Sequence, residues 1–515
     1  MSRGAIYGRA IAAALVVLLT GMLSNAPTAG AVEPPTVDPA LVPPDDTPGP
    51  DQGMRQSNVC ANAIATAEPN VGLPAPGFTV LNVSKAWQYS TGNGVAVAVI
   101  DTGVSPSSRL PVVPGGDYIT GGDGLTDCDA HGTVVASVIG ATPQGSHMPP
   151  PMPPAPAFPP PGGELSPLTP IAPAESAPAA DRPANGGPDS VVVPPSPAGS
   201  PDGVAGVAPH ATLISIRQSS RAYEPANPGP GDFEARRKAG TVATLARAIV
   251  HAANLGAKVI NVSVTACVSA ADPLDQRSIG AAVWYAATVK DAVVVAAAGN
   301  EGEDGCAQNP AFDPLDTADP RDWRHVKTVS SPSWFSDYVL SVGAVDTTGA
   351  PLSKSLAGPW VAVAAPGVDI MGLSPQTGGP VNAYPPVRPG EKDIPFWGTS
   401  FSAAYVSGVA ALVRAKYPKL SAHQVISRIV QTAHNPPRGV DNQVGYGVVD
   451  PVAALTFDVP AGERVAPGAQ TRTVTPPPAP RPPDHRARTV ALGFAGSVAA
   501  AVLLAGVVAR ARRAR

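Results

Sequence analysis

Short apolar runs recur along this chain at 95–100, 212–216, 258–264, 292–298, 339–345 and 360–364. Runs such as Val293-Val294-Val295-Ala296 and Lys258-Val259-Ile260-Asn261-Val262 are apolar on both faces. A strand buried on both sides belongs in a parallel sheet covered by two helical layers. Between the runs the apolar positions move to helical spacing, which predicts helices at 131–140, 241–255, 279–290, 400–416 and 421–433. In the second of these, Val242, Leu245, Ile249 and Ala253 fall along one face. Ser421 followed by Gln424 makes a capping box for the last. This order predicts an α/β fold, a doubly wound and mostly parallel sheet with helices on both faces.

Two proline-rich stretches interrupt the pattern. The 64 prolines in 515 residues are more than twice the usual share of roughly 5 %. At 143–201 about a third of the residues are proline and most others Ala, Gly or Ser. No core can be built from that composition, so an exposed insertion loop is expected just after the 131–140 helix. The second stretch falls in 456–489 and reads as a stiff, extended spacer.

The two ends look like targeting segments. Arg3 and Arg9 precede an apolar run at 10–23 and the small residues Ala29-Gly30-Ala31, the layout of a secretory signal peptide over 1–31. Residues 490–509 carry no charge and precede an arginine-rich tail at 510–515. That length suits one transmembrane helix, and the arginines suit its cytoplasmic side. The expected arrangement is a single-pass cell-membrane protein with its body outside. Residues 32–84 are polar and punctuated by proline, and read as a removable propeptide or an extension packed on the body at 85–455. Cys60 favours the extension.

Export places Cys60, Cys128, Cys267 and Cys306 in an oxidising compartment, where three pairings are possible. Cys60–Cys128 with Cys267–Cys306 is favoured, because each bond then joins a flanking segment to a loop near the candidate site. A net charge of -4 offers no basic balance for nucleic acid. No cofactor is expected. Asp123, Asp127 and Asp129 lack calcium-ligand spacing, so they read as a solvated loop and no metal is expected.

The chemistry sits in four short segments. Asp101 closes an apolar strand, where a carboxylate needs a partner, and a histidine ring nitrogen suits it. His131 opens a helix and can act as a general base. Ser400 stands at a helix start, where backbone N–H groups face any developing oxyanion. Asn300 ends the strand Val293-Val294-Val295-Ala296-Ala297-Ala298-Gly299-Asn300 and can offer a side-chain N–H to the same oxygen. A serine hydroxyl needs a base and an orienting acid to become a nucleophile.

Asp101-Thr102-Gly103, His131-Gly132-Thr133, Ala297-Ala298-Gly299-Asn300 and Gly398-Thr399-Ser400, in that order, resemble the subtilisin family of serine proteases. Ala364-Ala365-Pro366-Gly367 and Gly445-Tyr446-Gly447-Val448-Val449-Asp450 are further similar segments. The resemblance implies a triad of Asp101, His131 and Ser400, with Asn300 in the oxyanion hole. It also implies that Ser263, Val264 and Gly299 line the substrate. The whole plan, from signal peptide to basic tail, is similar to the mycosins, membrane-anchored subtilases of mycobacterial type VII secretion systems. In that family the N-terminal extension stays attached and wraps the body. Ala404, Ser137 and Val264-Thr265-Ala266 stand where many subtilisins have proline, glycine and a glycine-rich edge. Two functions are therefore expected: an endopeptidase cleaving exported proteins, or a structural component of a secretion membrane complex with proteolysis secondary.

Overall fold

The computed structural model describes residues 32–144, 202–227, 239–271, 275–303, 305–311, 321, 323–437, 439–469 and 486–513. The proposed signal peptide and nearly all of the proline-rich insertion lie outside the described residues.

Seven strands form one sheet: β1 (Ala96–Asp101), β2 (Val112–Asp117), β3 (Thr212–Arg217), β4 (Val259–Val262), β5 (Val293–Ala297), β6 (Val339–Val345) and β7 (Val361–Pro366). Their spatial order is β7-β6-β5-β4-β1-β3-β2, and every pairing is parallel. The strands alternate their side chains between two cores, as a pleated strand must. Val97 and Val99 of β1 join one core, whereas Ala98 and Ile100 join the other. The first core is closed by helix α1 (His131–Gly140) and helix α4 (Thr399–Lys416). The second is closed by α2 (Val242–Asn254) and α3 (Arg277–Trp284).

The six apolar runs all became sheet strands, with ends shifted by at most two residues. The edge strand β2 was not legible, because Val112-Val113-Pro114-Gly115-Gly116-Asp117 carries a proline and two glycines. Proline is tolerated in a sheet at such an edge. The 279–290 helix also differs: α3 gives way to a π-helical turn, Tyr285–Val289, in which Lys290 N–H donates to Tyr285 O at 3.0 Å.

Helix α4 is buried nearly all round, which explains its lack of a polar face. Its hydroxyls are matched within the core instead. Ser407 Oγ donates to Asn261 Oδ1 (2.9 Å) and Ser402 Oγ to Pro366 O (3.2 Å). Ser137, the departure in α1, donates to Thr133 O (2.7 Å) and accepts from Leu373 N (3.0 Å).

The segment 32–84 lies against the body. Met54–Gln56 pairs antiparallel with Tyr223–Pro225, Ile64 bridges Ala383, and Cys60 is bonded to Cys128. Asp45 meets His251 Nδ1 at 2.7 Å and accepts from Asn254 Nδ2 at 2.8 Å. The buried Asn382 amide donates to Thr66 O and Pro69 O and accepts from Thr66 N.

The first residues assigned to the expected spacer are packed on the body instead. Residues 457–464 are held on helix α5 (Ala422–Gln431) by Gln424 Nε2 to Gly462 O (3.0 Å) and Ser421 Oγ to Arg464 O (2.6 Å). The buried Arg428 guanidinium also donates to Phe457 O. A buried arginine has five donors to satisfy, and this stretch of backbone supplies acceptors. As a separate unit, residues 471–515 contain helix α6 (Arg486–Arg513). Its Gly493–Arg512 segment is long and apolar enough to cross a membrane.

Candidate active site

The strand order changes direction at β1: β2 and β3 lie on one side of it, and β4 to β7 run outward on the other. Ligands in open α/β sheets bind beyond the carboxyl ends of the strands at such a reversal. Asp101 is the last residue of β1, Ser263 follows β4, and Gly299 and Asn300 follow β5. The sequence-predicted residues are therefore delivered to one edge by the strand order.

Asp101 is fully buried. Its Oδ1 accepts from Thr102 N at 2.6 Å and from His131 Nδ1 at 2.7 Å. An ionised carboxylate only accepts, so this contact places the proton on Nδ1 and leaves Nε2 as the acceptor. Burial disfavours the charged imidazolium, yet the Asp101 charge and hydrogen bond outweigh it and raise the His131 pKa above 6.5. Arg221 works in the opposite direction.

The start of α1 explains how His131 is aimed. Ala130 takes a left-handed conformation (φ 62°) just before it. The first free N–H groups of a helix need acceptors. Gly132 N donates to Thr102 Oγ1 (2.9 Å), and Thr133 N to Asp127 Oδ2 (2.8 Å). Gly132 has to be glycine, since a Cβ would sit 2.1 Å from Gly103 O and 3.1 Å from Asp101 Oδ1.

Asp127 and Asp129 do not form the solvated loop expected of them. Both are buried. Asp127 accepts from Thr102 Oγ1 (2.9 Å), Asp129 N (3.0 Å), and the Thr133 hydroxyl (2.7 Å) and amide. Burial pushes its pKa up to about 6 against those hydrogen bonds. Asp129 accepts from Arg221 N at 2.7 Å. The place of Asp127, four residues before a helix-opening histidine, was the overlooked signal of a capping carboxylate. Among the described residues no cluster of ligating side chains suited to a metal is found.

Ser400 is nearly buried in the first turn of α4. Its Oγ donates to Ser263 O at 3.1 Å, so its single proton is not directed at His131 in this resting geometry. Catalytic hydrogen bonds often tighten only when substrate is bound. The following residue packs on His131: the Phe401 and His131 ring centroids are 5.2 Å apart. Ser263 Oγ in turn accepts from Asn261 Nδ2 (2.8 Å).

The Asn300 amide is oriented from α4. Its Oδ1 accepts from Thr399 N (3.0 Å) and Thr399 Oγ1 (3.1 Å), which turns Nδ2 away from the core. Thr399 Oγ1 also accepts from Gly299 N at 3.1 Å. Gly398, with φ 138°, lets the chain pass this close, since a Cβ there would sit 3.2 Å from Asn300 Nδ2. Gly299 is engaged at both backbone groups, because its carbonyl accepts from Leu356 N at 2.9 Å. Val264 is half-buried beyond the end of β4, which stops at Val262 rather than Val264.

Both favoured cysteine pairs are formed, Cys60–Cys128 and Cys267–Cys306. The first ties the 32–84 segment to the loop before His131. The second ties the turn after Asn300 to the strand Ala266–Ser269, which pairs with Thr328–Ser331.

Residues 92–447 match the subtilase family. The chain is 64 % identical to Mycosin-2 of Mycobacterium tuberculosis over 98 % of this chain and 98 % of that one. The chain belongs to the mycosins, within the subtilase family. A crystal structure of MycP1 from Mycobacterium smegmatis is similar to this mycosin, with a TM-score of 0.70 and 41 % identity, over 87 % of this chain and 100 % of that one. So is a chain in an intact ESX-5 inner membrane complex, with a TM-score of 0.69 and 48 % identity, over 93 % and 99 %. This mycosin is a serine endopeptidase with the subtilisin-like α/β fold.

Proposed function

We propose that the protein is a membrane-anchored endopeptidase in which Asp101, His131 and Ser400 form an acyl-enzyme triad and Asn300 stabilises the oxyanion. The carrying observation is the 2.7 Å contact between His131 Nδ1 and Asp101 Oδ1, formed beside the helix that begins with Thr399 and Ser400. On substrate binding the Ser400 hydroxyl turns from Ser263 O to His131 Nε2, which takes its proton as Oγ attacks the scissile carbonyl. The carbonyl oxygen becomes an oxyanion facing Asn300 Nδ2 and the N-terminus of α4. His131 then returns the proton to the leaving amine, and water hydrolyses the acyl-Ser400 ester through the same base. Ser263 and Val264 flank the bound peptide; Gly299, with its own backbone groups engaged, contributes space.

Helix α6 anchors the chain, with the body on the extracytoplasmic side and the arginine tail in the cytoplasm. Its substrates are exported proteins, and its setting is a type VII secretion complex, supported by the likeness to a chain of the ESX-5 assembly. A fluorophosphonate probe tests the chemistry: the wild-type protein is labelled and Ser400→Ala is not. An unlabelled wild type overturns it.

The same likeness favours a second, compatible role as a structural component of that complex. Secretion then survives Ser400→Ala but fails when the whole protein is deleted. Equal loss in both strains removes the structural role.

A further inference from the structure

The Asn300 side-chain amide, oriented outward by Thr399, is already occupied. Its Nδ2 donates to Glu303 Oε2 at 3.0 Å. The same carboxylate oxygen lies 3.8 Å from Arg221 Nη2. These residues come from opposite sides of the catalytic edge. Glu303 follows β5, and Arg221 follows β3. Between β5 and β3 in the sheet stand β1, which ends in Asp101, and β4, which Ser263 follows. The contact Asn300–Glu303–Arg221 thus runs across the site where a scissile bond has to lie.

Both ends of this contact have fixed backbones. The Glu303 turn is closed by Gly302 N to Cys306 O (2.9 Å) and Cys306 N to Glu303 O (2.8 Å), and Cys306 is bonded to Cys267. Arg221 N donates to Asp129 Oδ1 (2.7 Å), and Arg221 O accepts from Asn58 Nδ2 (2.9 Å) in the N-terminal segment. The side chains are less confined, with 38 % of Glu303 and 83 % of Arg221 exposed. An exposed ion pair at this separation contributes little to stability, so the crossing can open without unfolding anything.

We propose that Glu303, steadied by Arg221, is a latch that occupies the oxyanion donor of Asn300 in the resting enzyme and that substrate has to displace. The inference rests on the reading of Asn300 as that donor. Nδ2 carries two N–H groups, but a carboxylate held on one of them repels an oxyanion forming at the other. Bond formation from Ser400 Oγ to the substrate carbonyl therefore requires Glu303 to swing out. The latch lowers reactivity toward peptides that fail to engage the groove and leaves the triad intact.

The test measures second-order labelling rates of the full-length protein with a fluorophosphonate, for wild type, Glu303→Gln, Glu303→Ala, Asn300→Ala and the Glu303→Ala/Asn300→Ala double variant. Hydrogen bonds to an ionised acceptor are about twice as strong as neutral ones. Glu303→Gln is thus expected to label faster by about tenfold and Glu303→Ala at least as fast. Asn300→Ala is expected to lose about 10²-fold or more, and in that background Glu303→Ala gives no gain. Glu303 variants that label no faster than wild type, while Asn300→Ala is slow, overturn the latch alone. Wild-type labelling by Asn300→Ala overturns the oxyanion reading itself. Glu303→Gln, which keeps the size of the side chain and the disulfide, separates loss of charge from loss of the turn.

Discussion

His131 Nδ1 lies 2.7 Å from Asp101 Oδ1, although 30 residues of chain separate them. That contact decides which imidazole nitrogen is free to act as the base. Asp101→Asn would present an amide whose N–H can meet Nδ1 only in the opposite tautomer. The expected outcome is a correctly folded protein with kcat reduced on the order of 10⁴-fold. Peptidase assays alongside circular dichroism check it; near-normal activity would remove Asp101 from the triad.

The pH profile follows from the same pair. His131 has to be neutral to receive the Ser400 proton, and the Asp101 contact raises its pKa above the usual 6.5. Activity is therefore expected to fall on acidification through a midpoint above 6.5. Arg221 holds that midpoint down, so Arg221→Gln should move it further up. A kcat/KM titration of both proteins measures the midpoints. An unmoved or lower midpoint in the variant contradicts this sign.

The Gly132 position couples local geometry to the triad. A methyl group there would meet Gly103 O at 2.1 Å and crowd Asp101, and backbone atoms cannot turn aside as a side chain can. Gly132→Ala is expected to displace α1 from β1 and reduce labelling of Ser400 by 10²-fold or more, with a lowered melting temperature. Unchanged labelling would mean the two elements separate freely.

The sheet and its covering helices were legible because two signals agreed, doubly apolar runs for the strands and helical spacing between them. The residues proposed as the triad could be picked out because they sit at element ends, Asp101 closing β1 and His131 and Ser400 in first helical turns. What failed depended on which partners the fold supplied, near or remote in sequence. Asp127 looked solvated until Thr102 and Thr133 closed around it, and 457–464 looked like spacer until Arg428 and Gln424 claimed its carbonyls. Glu303 was passed over because one of the two contacts that single it out, to Arg221, crosses the sheet edge.

Arg109 holds the two sides of the proline-rich insertion. It donates to Thr142 O (3.0 Å), to Val204 O (2.7 Å) and to both oxygens of Asp202 (2.7 and 3.1 Å). Both side chains of the pair are more than nine-tenths buried. Arg109→Leu leaves the Asp202 carboxylate buried without its charge partner, an expected loss of about 3 kcal/mol or more. Denaturant unfolding of the full-length protein measures it. Arg109→Leu/Asp202→Leu should recover part of the loss, because it removes the orphaned charge as well. A single variant as stable as wild type would show that the clamp contributes nothing.

The Cys60–Cys128 bond should matter to both the N-terminal segment and the catalytic loop. It closes a loop of 68 residues, for which chain entropy gives about 4 kcal/mol. Separately from that entropy, the segment keeps native contacts without the bond, through Met54–Gln56, Thr66 and Asp45. Cys60→Ser/Cys128→Ser is therefore expected to stay folded but melt at a lower temperature. It should expose the stretch around residue 60 to protease before the body is cut. Because Cys128 stands between Asp127 and Asp129, labelling of Ser400 should fall as well, through loosening of the loop that aims His131. Protease resistance and full labelling in the double variant would show that the hydrogen bonds alone hold this segment and that loop.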